Sequence, residues 1–219
     1  MALASTLVVL AGAAGITFAP ADPPGDAGRV PLRGEEPQVA VPPTVSAPAP
    51  PPPTVGIRSG RLEDLATTRP EPVGIRIESA GVDAPVVPTG VEAGTGALAV
   101  PEDVGVAGWY RFGPAPGDPG SAVVTAHVDS ASQGPGAFFP LRDVAPGAGV
   151  VVTFDDGSSR PFEVVGRRSY DKEALPVAEL FTREGDAVLT LVTCGGAFDP
   201  VTRSYEENLV VFAVPVGTR

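Results

Sequence analysis

Short apolar runs, separated by Gly, Pro and Asp, fill the chain from residue 72 to residue 215. Runs bounded in this way by turn-forming residues are typical of β-strands. They lie at residues 73–90, 120–130, 149–171, 186–194 and 203–215, and the first and third each predict two strands around a turn. Many short strands at this spacing predict an all-β fold, either a closed barrel or a sandwich. Periodicity alone does not choose between them.

Helical patterns are scarce. Residues 136–144 and 176–183 are the two candidates, and both are short. In the run 186–194, alternate side chains share a face of the strand, so Cys194 lies on the side opposite to Thr193. Both faces are mostly apolar, which predicts an interior strand that ends at the rim of the sheet with Cys194.

Composition divides the chain into three parts. Residues 2–19 carry no charge, and a helix of that length spans about 27 Å, so residues 1–19 predict a membrane anchor or a signal segment. Ala19-Pro20-Ala21 fits a small-x-small cleavage pattern. A retained anchor is favoured because no Lys or Arg precedes the apolar run. We therefore expect a single-pass membrane protein with its domain outside the cytoplasm, with cleavage and secretion as the alternative.

Residues 20–71 predict a disordered linker. Fourteen of the 27 prolines fall between Pro20 and Pro72, and long apolar side chains are few there. Where it is extended, this segment can hold a domain on the order of 100 Å from a membrane. Residues 72–219 then form one globular domain.

The net charge of −11 excludes some partners. An acidic domain without a cluster of Lys or Arg has no surface for DNA or RNA. The acidic residues show no compact spacing of metal ligands, so the sequence implies no metal and no cofactor.

Three residues are candidates for chemistry. Cys194 is the only cysteine and His127 the only histidine, and each ends an apolar run. Arg203 follows Cys194 by nine residues, and a short loop would bring it back near the thiol. An imidazole and a cation near a thiol favour thiolate chemistry, namely acyl transfer through a thioester. Taken singly, each residue also has a structural explanation, as a buried thiol, a histidine at the rim or a solvated charge.

Two glycines follow the thiol. Gly195 and Gly196 allow positive φ and let a substrate approach the backbone closely. We expect them to leave room at the thiol for a peptide carbonyl.

The motifs around these residues resemble the sortases. "TLVTC" at 190–194, with "VVTAHVD" upstream and Arg203 downstream, carries the resemblance, which covers about residues 72–215. "GWYRFGPAPGDPGSAVVTAHVDS" and "GPGAFFPLRDVAPGAGVVV" are similar to the class F sortases of actinobacteria, which are Gram-positive. The resemblance implies an eight-stranded sortase β-barrel with a few short helices.

The resemblance also implies an activity. The enzyme would cut a Leu-Pro-x-Thr-Gly type sorting signal between Thr and Gly and join the exported protein to an amine of a cell-wall precursor or a pilin. Cys194 would be the nucleophile, His127 the proton donor and Arg203 the stabiliser of the oxyanion or the substrate. Thr193 would help to shape the substrate groove. We expect a monomer without a cofactor.

Two alternatives remain at this point. An L,D-transpeptidase also uses Cys, His and Arg, but its arginine typically follows the cysteine by two residues, where this chain has Gly196. A non-catalytic wall-associated β-domain on a Pro-rich stalk would require all three candidates to be coincidental.

Overall fold

The computed structural model describes residues 25–31, 69–92, 94 and 96–217. These residues form eleven strands, one α-helix and three short 3-10 helices. The strands are β1 (Ala27–Gly28), β2 (Pro72–Ile77), β3 (Val82–Thr89), β4 (Ala107–Tyr110), β5 (Ser121–Thr125), β6 (Asp129–Ser130), β7 (Gly134–Pro135), β8 (Gly149–Phe154), β9 (Ser159–Asp171), β10 (Val188–Asp199) and β11 (Ser204–Pro215).

Eight of these strands close into a barrel. Their order is β9-β11-β10-β5-β4-β3-β2-β8, and β8 pairs with β9 to complete the circle. The pairs β10 with β5 and β3 with β4 are parallel, and the other barrel pairs are antiparallel. The structure therefore confirms the all-β fold and, of the two architectures that the sequence left open, has the barrel.

The helices are short, as predicted. A 3-10 helix at Phe139–Asp143 lies within the segment 136–144, and helix α1 (Val177–Leu180) lies within 176–183. Further 3-10 turns at Glu78–Ala80 and Lys172–Ala174 were not predicted. In the described residues, no helix has the length and apolarity needed to cross a membrane. The predicted segment 1–19 lies outside them, so its role stays a prediction.

Apolar side chains pack on both sides of the barrel wall at β10 and β11. Leu189, Leu191 and Leu209 point into the barrel and join its main core. Val188 and Phe212 point outward and join a second cluster formed with Leu180 and Val210. This two-sided burial explains why the run 186–194 is apolar on both faces, and it confirms the interior position of the strand.

Strand β10 does not end at Cys194, so the prediction that the thiol terminates the strand was wrong. Its parallel pairing with β5 stops at Val192, but its antiparallel pairing with β11 continues to Asp199. The reason is that β11 begins at Ser204 and provides pairing partners for the residues of β10 that follow Cys194. Cys194 thus lies just past the point where one of its two neighbouring strands ends.

Strand β1 falls inside the segment that was predicted as a linker. Ala27 and Gly28 pair with Arg167 and Gly166 of β9, beyond the part of β9 that pairs with β8. The two arginines Arg167 and Arg168 donate hydrogen bonds to the carbonyls of residues 25, 27 and 28. Residues 25–31 therefore lie against the outside of the barrel.

Candidate active site

His127 follows the end of β5, and Cys194 lies within the neighbouring strand β10. In the parallel pair of β5 and β10, Thr125 is opposite Val192. The Ala126 amide donates a 3.3 Å hydrogen bond to the Val192 carbonyl. The hydrogen bonding thus continues one residue beyond Thr125. If the same register ran two residues further, His127 would lie opposite Cys194 on a strand about 4.8 Å away, so their cooperation stays a prediction.

The backbone of His127 is fixed by the segment that follows β7. Its carbonyl accepts a 3.2 Å hydrogen bond from the Phe138 amide, and the Val128 carbonyl accepts one of 2.8 Å from the Gly136 amide. A side chain at Gly136 would place its Cβ 2.2 Å from the His127 carbonyl oxygen. Only glycine permits this approach, and it holds His127 in place at the end of β5.

A second contact joins the histidine segment to β11. The phenol of Tyr205 donates a 2.6 Å hydrogen bond to the carboxylate of Asp129, two residues after His127. Burial, followed by this hydrogen bond, raises the pKa of Tyr205 to about 12. The Tyr205 ring also packs edge-to-face on Phe198, with ring centroids 5.2 Å apart. Asp129 and Tyr205 thus connect the segment after β5 to the hairpin that carries Cys194.

Cys194 is free and half-buried, on the outer face of β10. Burial raises the pKa of its thiol, the Lys172 ammonium opposes that rise, and the Asp129 carboxylate adds to it. Its partner across the antiparallel ladder is Asn208 of β11, a neutral side chain. Burial thus favours the neutral thiol over the thiolate.

The structure places Arg203 in the turn between β10 and β11. Its φ is +54°, and it is exposed. The turn is closed by Asp199, whose carboxylate accepts hydrogen bonds from the Val201 amide and the Thr202 hydroxyl, each 2.8 Å. Arg203 stands five residues from Asn208, which is roughly 16 Å along a strand.

A short loop was expected to return Arg203 to the thiol. Instead, β10 and β11 stay paired up to Asp199 and Ser204, and Arg203 lies in the turn beyond them. The turn carries the arginine away from the ladder position opposite Cys194. The catalytic role of Arg203 stays a prediction.

Thr193 has a clear structural function. Its hydroxyl is buried and donates a 2.8 Å hydrogen bond to the Ala126 carbonyl, across the gap between β10 and the end of β5. This bond holds the residue before Cys194 to the residue before His127. A role for Thr193 in the substrate groove stays a prediction.

Gly195 and Gly196 begin an irregular stretch of the β10–β11 ladder. Gly196 has a φ of +73°, and a Cβ there would lie 2.8 Å from Cγ of Glu207. A Cβ at Gly195 would lie 3.2 Å from Cβ of Leu209. The bulge and the close approach of β11 thus require glycine at position 196. The expectation that Gly195 and Gly196 leave room for a substrate stays a prediction.

Sequence reasoning did not find Tyr205 or Lys172. Tyr205 lies in a run that reads as an ordinary strand, and only the tertiary contact with Asp129 distinguishes it. Lys172 is the only lysine of the chain. Nothing in the sequence, however, indicates which residues it lies near. Tyr205 lies on β11, and Lys172 lies in the 3-10 turn that follows β9.

The fold and the motifs agree with known proteins. A model of the sortase domain matches residues 75–216. Among solved structures, sortase A of Listeria monocytogenes superposes with a TM-score of 0.50 at 18% identity, covering 67% of this chain and 88% of that one. A lid mutant of sortase A from Corynebacterium diphtheriae gives 0.51 at 21% identity, covering 72% and 78%. Sortase C2 of pilus island 1 from Group B Streptococcus gives 0.50 at 23% identity, covering 67% and 75%.

A search of curated proteins finds no match. At these identities the solved structures establish the fold, and the domain match establishes the family. With its closed eight-stranded barrel and its thiol beside the end of β5, the chain belongs to the sortase family of cysteine transpeptidases.

Proposed function

We propose that this sortase cuts a Leu-Pro-x-Thr-Gly type sorting signal between Thr and Gly and transfers the exported protein to an amine of a cell-wall precursor or a pilin. The observation that supports the proposal is the parallel pairing of β5 and β10, which runs to Thr125 and Val192, together with the bond from Thr193 to the Ala126 carbonyl, one residue before Cys194 and one before His127. A proton donor beside a thiol is the arrangement that acyl transfer through a thioester needs.

The proposed reaction has two halves. His127 takes the proton of the Cys194 thiol, and the sulfur attacks the carbonyl carbon of the Thr residue. The C–N bond to Gly breaks, His127 gives that proton to the leaving amine, and a thioester remains on the sulfur. The acceptor amine then attacks the thioester carbonyl and loses a proton to His127, the C–S bond breaks, and His127 returns the proton to the sulfur. Arg203 is proposed to stabilise the carbonyl oxygen or the peptide, with Thr193, Gly195 and Gly196 lining the site.

The setting of the enzyme is part of the proposal. Residues 2–19 are proposed to anchor the chain in the cell membrane of a Gram-positive bacterium, with the barrel outside. The chain is proposed to act as a monomer and to belong to class F, which the motifs of residues 108–130 support.

A peptide assay tests the proposal. Fluorogenic peptides with a panel of sorting signals are incubated with the wild type and with Cys194→Ala, with and without an amine acceptor. We expect cleavage by the wild type alone, and an amide product when the amine is present. Cleavage at the wild-type rate by Cys194→Ala would refute the mechanism. A preference for a signal of another type would refute the proposed substrate.

A further inference from the structure

We propose that a cleft at the opposite end of the barrel from Cys194 binds a small phosphomonoester, and that Arg111 and Arg183 hold its phosphate group. The cleft has a volume of about 490 Å³ and lies between the segment before β5 and the loop before β10. Three arginines, one carboxylate and one exposed aromatic ring line it: Arg69, Arg111, Arg183, Asp118 and Phe112. The inference concerns a second site and does not depend on the proposed transpeptidation.

The cleft lies at the end of the barrel where β5 and β10 begin. Residues 111–120 lead into β5, and Arg183 precedes β10, whose first residue Val188 pairs with Ser121. Cys194 stands six residues further along β10. At the rise of an extended strand this is roughly 20 Å. The cleft is therefore a separate site from the one that contains the thiol.

The motif "RFGPAPGDPG" at 111–120 forms one side of the cleft. It belongs to the longer stretch that resembles class F sortases, but the proposed reaction uses none of its residues. The three arginines come from distant parts of the chain, so no basic cluster is visible in the sequence. In a chain with a net charge of −11, their meeting at one cleft is a local exception.

The carboxylate of the cleft is already paired. The Oδ2 atom of Asp118 lies 2.9 Å from Nε of Arg69, and its Oδ1 atom lies 3.6 Å from Nη1 of Arg160. Arg160 also donates a 2.7 Å hydrogen bond to the Pro116 carbonyl. Asp118 is thus shared by two arginines, which leaves it little charge to offer to the other cations of the cleft.

Arg111 and Arg183 form no ion pair with any residue that the structure describes. Glu184 and Asp186 follow Arg183, but both are exposed and neither lines the cleft. Two uncompensated guanidinium charges match the charge of about −1.5 to −2 that a phosphomonoester carries near neutral pH. The planar guanidinium fork also fits phosphate oxygens with parallel hydrogen bonds.

Both arginines lie against Phe112. The Nη2 atom of Arg183 donates a 2.7 Å hydrogen bond to the Phe112 carbonyl, and the guanidinium carbon of Arg111 lies 4.8 Å from the centroid of the Phe112 ring. Most N–H donors of the two guanidinium groups stay available for a ligand. The ring is 52% exposed, so it offers an apolar surface to the carbon part of an organic phosphate.

Backbone hydrogen bonds join the two sides of the cleft. The Ser121 amide donates to the Thr182 carbonyl at 2.9 Å, and the Gly120 amide donates to the Gly185 carbonyl at 3.1 Å. Gly120 has a φ of +95°, and a Cβ there would lie 2.8 Å from Cα of Arg183. Glycine thus allows the loop of Arg183 to pack on the end of the motif. A cleft whose sides are already joined loses less entropy when a ligand binds.

Isothermal titration calorimetry of the full chain with glycerol 3-phosphate, at constant ionic strength, tests the inference. Glycerol is the control ligand without a charge. The variants are Arg111→Gln, which breaks no side-chain hydrogen bond of the described residues, and Arg183→Gln. Arg76→Gln removes an exposed arginine from β2 and is the matched control for the loss of one cation.

We expect the wild type to bind glycerol 3-phosphate at a single site and to give no binding heat with glycerol. Arg111→Gln and Arg183→Gln should each weaken binding about tenfold, whereas Arg76→Gln should keep the wild-type affinity. Absence of saturable heat up to about 10 mM ligand would overturn the inference. Wild-type affinity in Arg111→Gln would do the same, because that variant keeps every described side-chain hydrogen bond of the cleft.

A second measurement identifies the source of the phosphate. Sedimentation with phosphatidylcholine vesicles that contain phosphatidic acid, whose headgroup is a phosphomonoester, is compared with sedimentation with phosphatidylcholine alone. An increase that Arg111→Gln removes supports a lipid headgroup as the ligand. No increase, together with binding of glycerol 3-phosphate, supports a soluble phosphate. Failure of both measurements overturns the site.

Discussion

The Tyr205 phenol lies 2.6 Å from the Asp129 carboxylate and joins the histidine segment to the strand that follows the thiol. The two residues are 76 positions apart in the chain, so the bond fixes one part of the site relative to another. A charged acceptor makes it stronger than a bond between neutral groups. We therefore expect loss of this hydrogen bond to alter the position of His127.

Tyr205→Phe should lower the turnover number by about tenfold, because His127 loses part of its support while the ring keeps its contact with Phe198. Steady-state kinetics with a cleaved peptide measure the effect, and Tyr110→Phe on β4 is the control for loss of a phenol. The Michaelis constant should change less than the turnover number. Unchanged turnover in Tyr205→Phe would show that the bond does not position His127.

Thr193→Val should lower the free energy of unfolding by about 1 kcal/mol, because valine keeps the volume of threonine and loses the bond to the Ala126 carbonyl. Denaturant unfolding measures the change. Thr193→Ser keeps the hydroxyl and serves as the control. A valine variant as stable as the wild type would mean that this bond does not hold β10 to the end of β5.

Gly136→Ala should reduce activity roughly 10- to 100-fold, because the new methyl group must push the His127 backbone away from its position. Gly149→Ala, at a site with open space around it, is the matched control. The barrel core is untouched, so far-ultraviolet circular dichroism should keep the wild-type spectrum. Wild-type activity in Gly136→Ala would contradict the assigned role of this close approach.

Gly28→Ala should detach β1 from the barrel. Its Cβ would stand 2.3 Å from the Val165 carbonyl oxygen, and its φ is +71°. We expect a loss of about 1–3 kcal/mol in the local stability of the docked segment. Hydrogen exchange at Ser169 reports it, because that amide donates to Asp26.

Gly25→Ala adds a methyl group in open space and is the control for this experiment. Unchanged protection of Ser169 in Gly28→Ala would mean that the segment tolerates a side chain at this position.

The sequence predicted the fold well because strand signals are local. The turn at 155–158 and the alternation along β8 and β9 were visible in the chain, and the structure has that hairpin. The choice of a barrel depends on the pairing of β8 with β9 as well as with β2, which no local pattern encodes. The resemblance to sortases supplied what periodicity did not.

The site was predicted in part. The ends of two apolar runs indicated His127 and Cys194 as candidates, and the strands that lead to them pair in parallel as far as Thr125 and Val192. Their catalytic roles stay predictions. The position of Arg203 depended on the length of a hairpin, and pairing continues five residues past Cys194. Tyr205 contacts Asp129 across 76 positions of the chain, so only the three-dimensional arrangement reveals it.

The docking of β1 changes the route of the chain between membrane and barrel. Residues 25–31, N-terminal to the Pro-rich stretch, already lie on the barrel that residues 69–217 form. Only residues 20–26 separate the proposed anchor from β1, a span of roughly 25 Å when extended. If residues 2–19 anchor the chain as proposed, so short a tether would hold the barrel at the membrane surface, where exported proteins emerge.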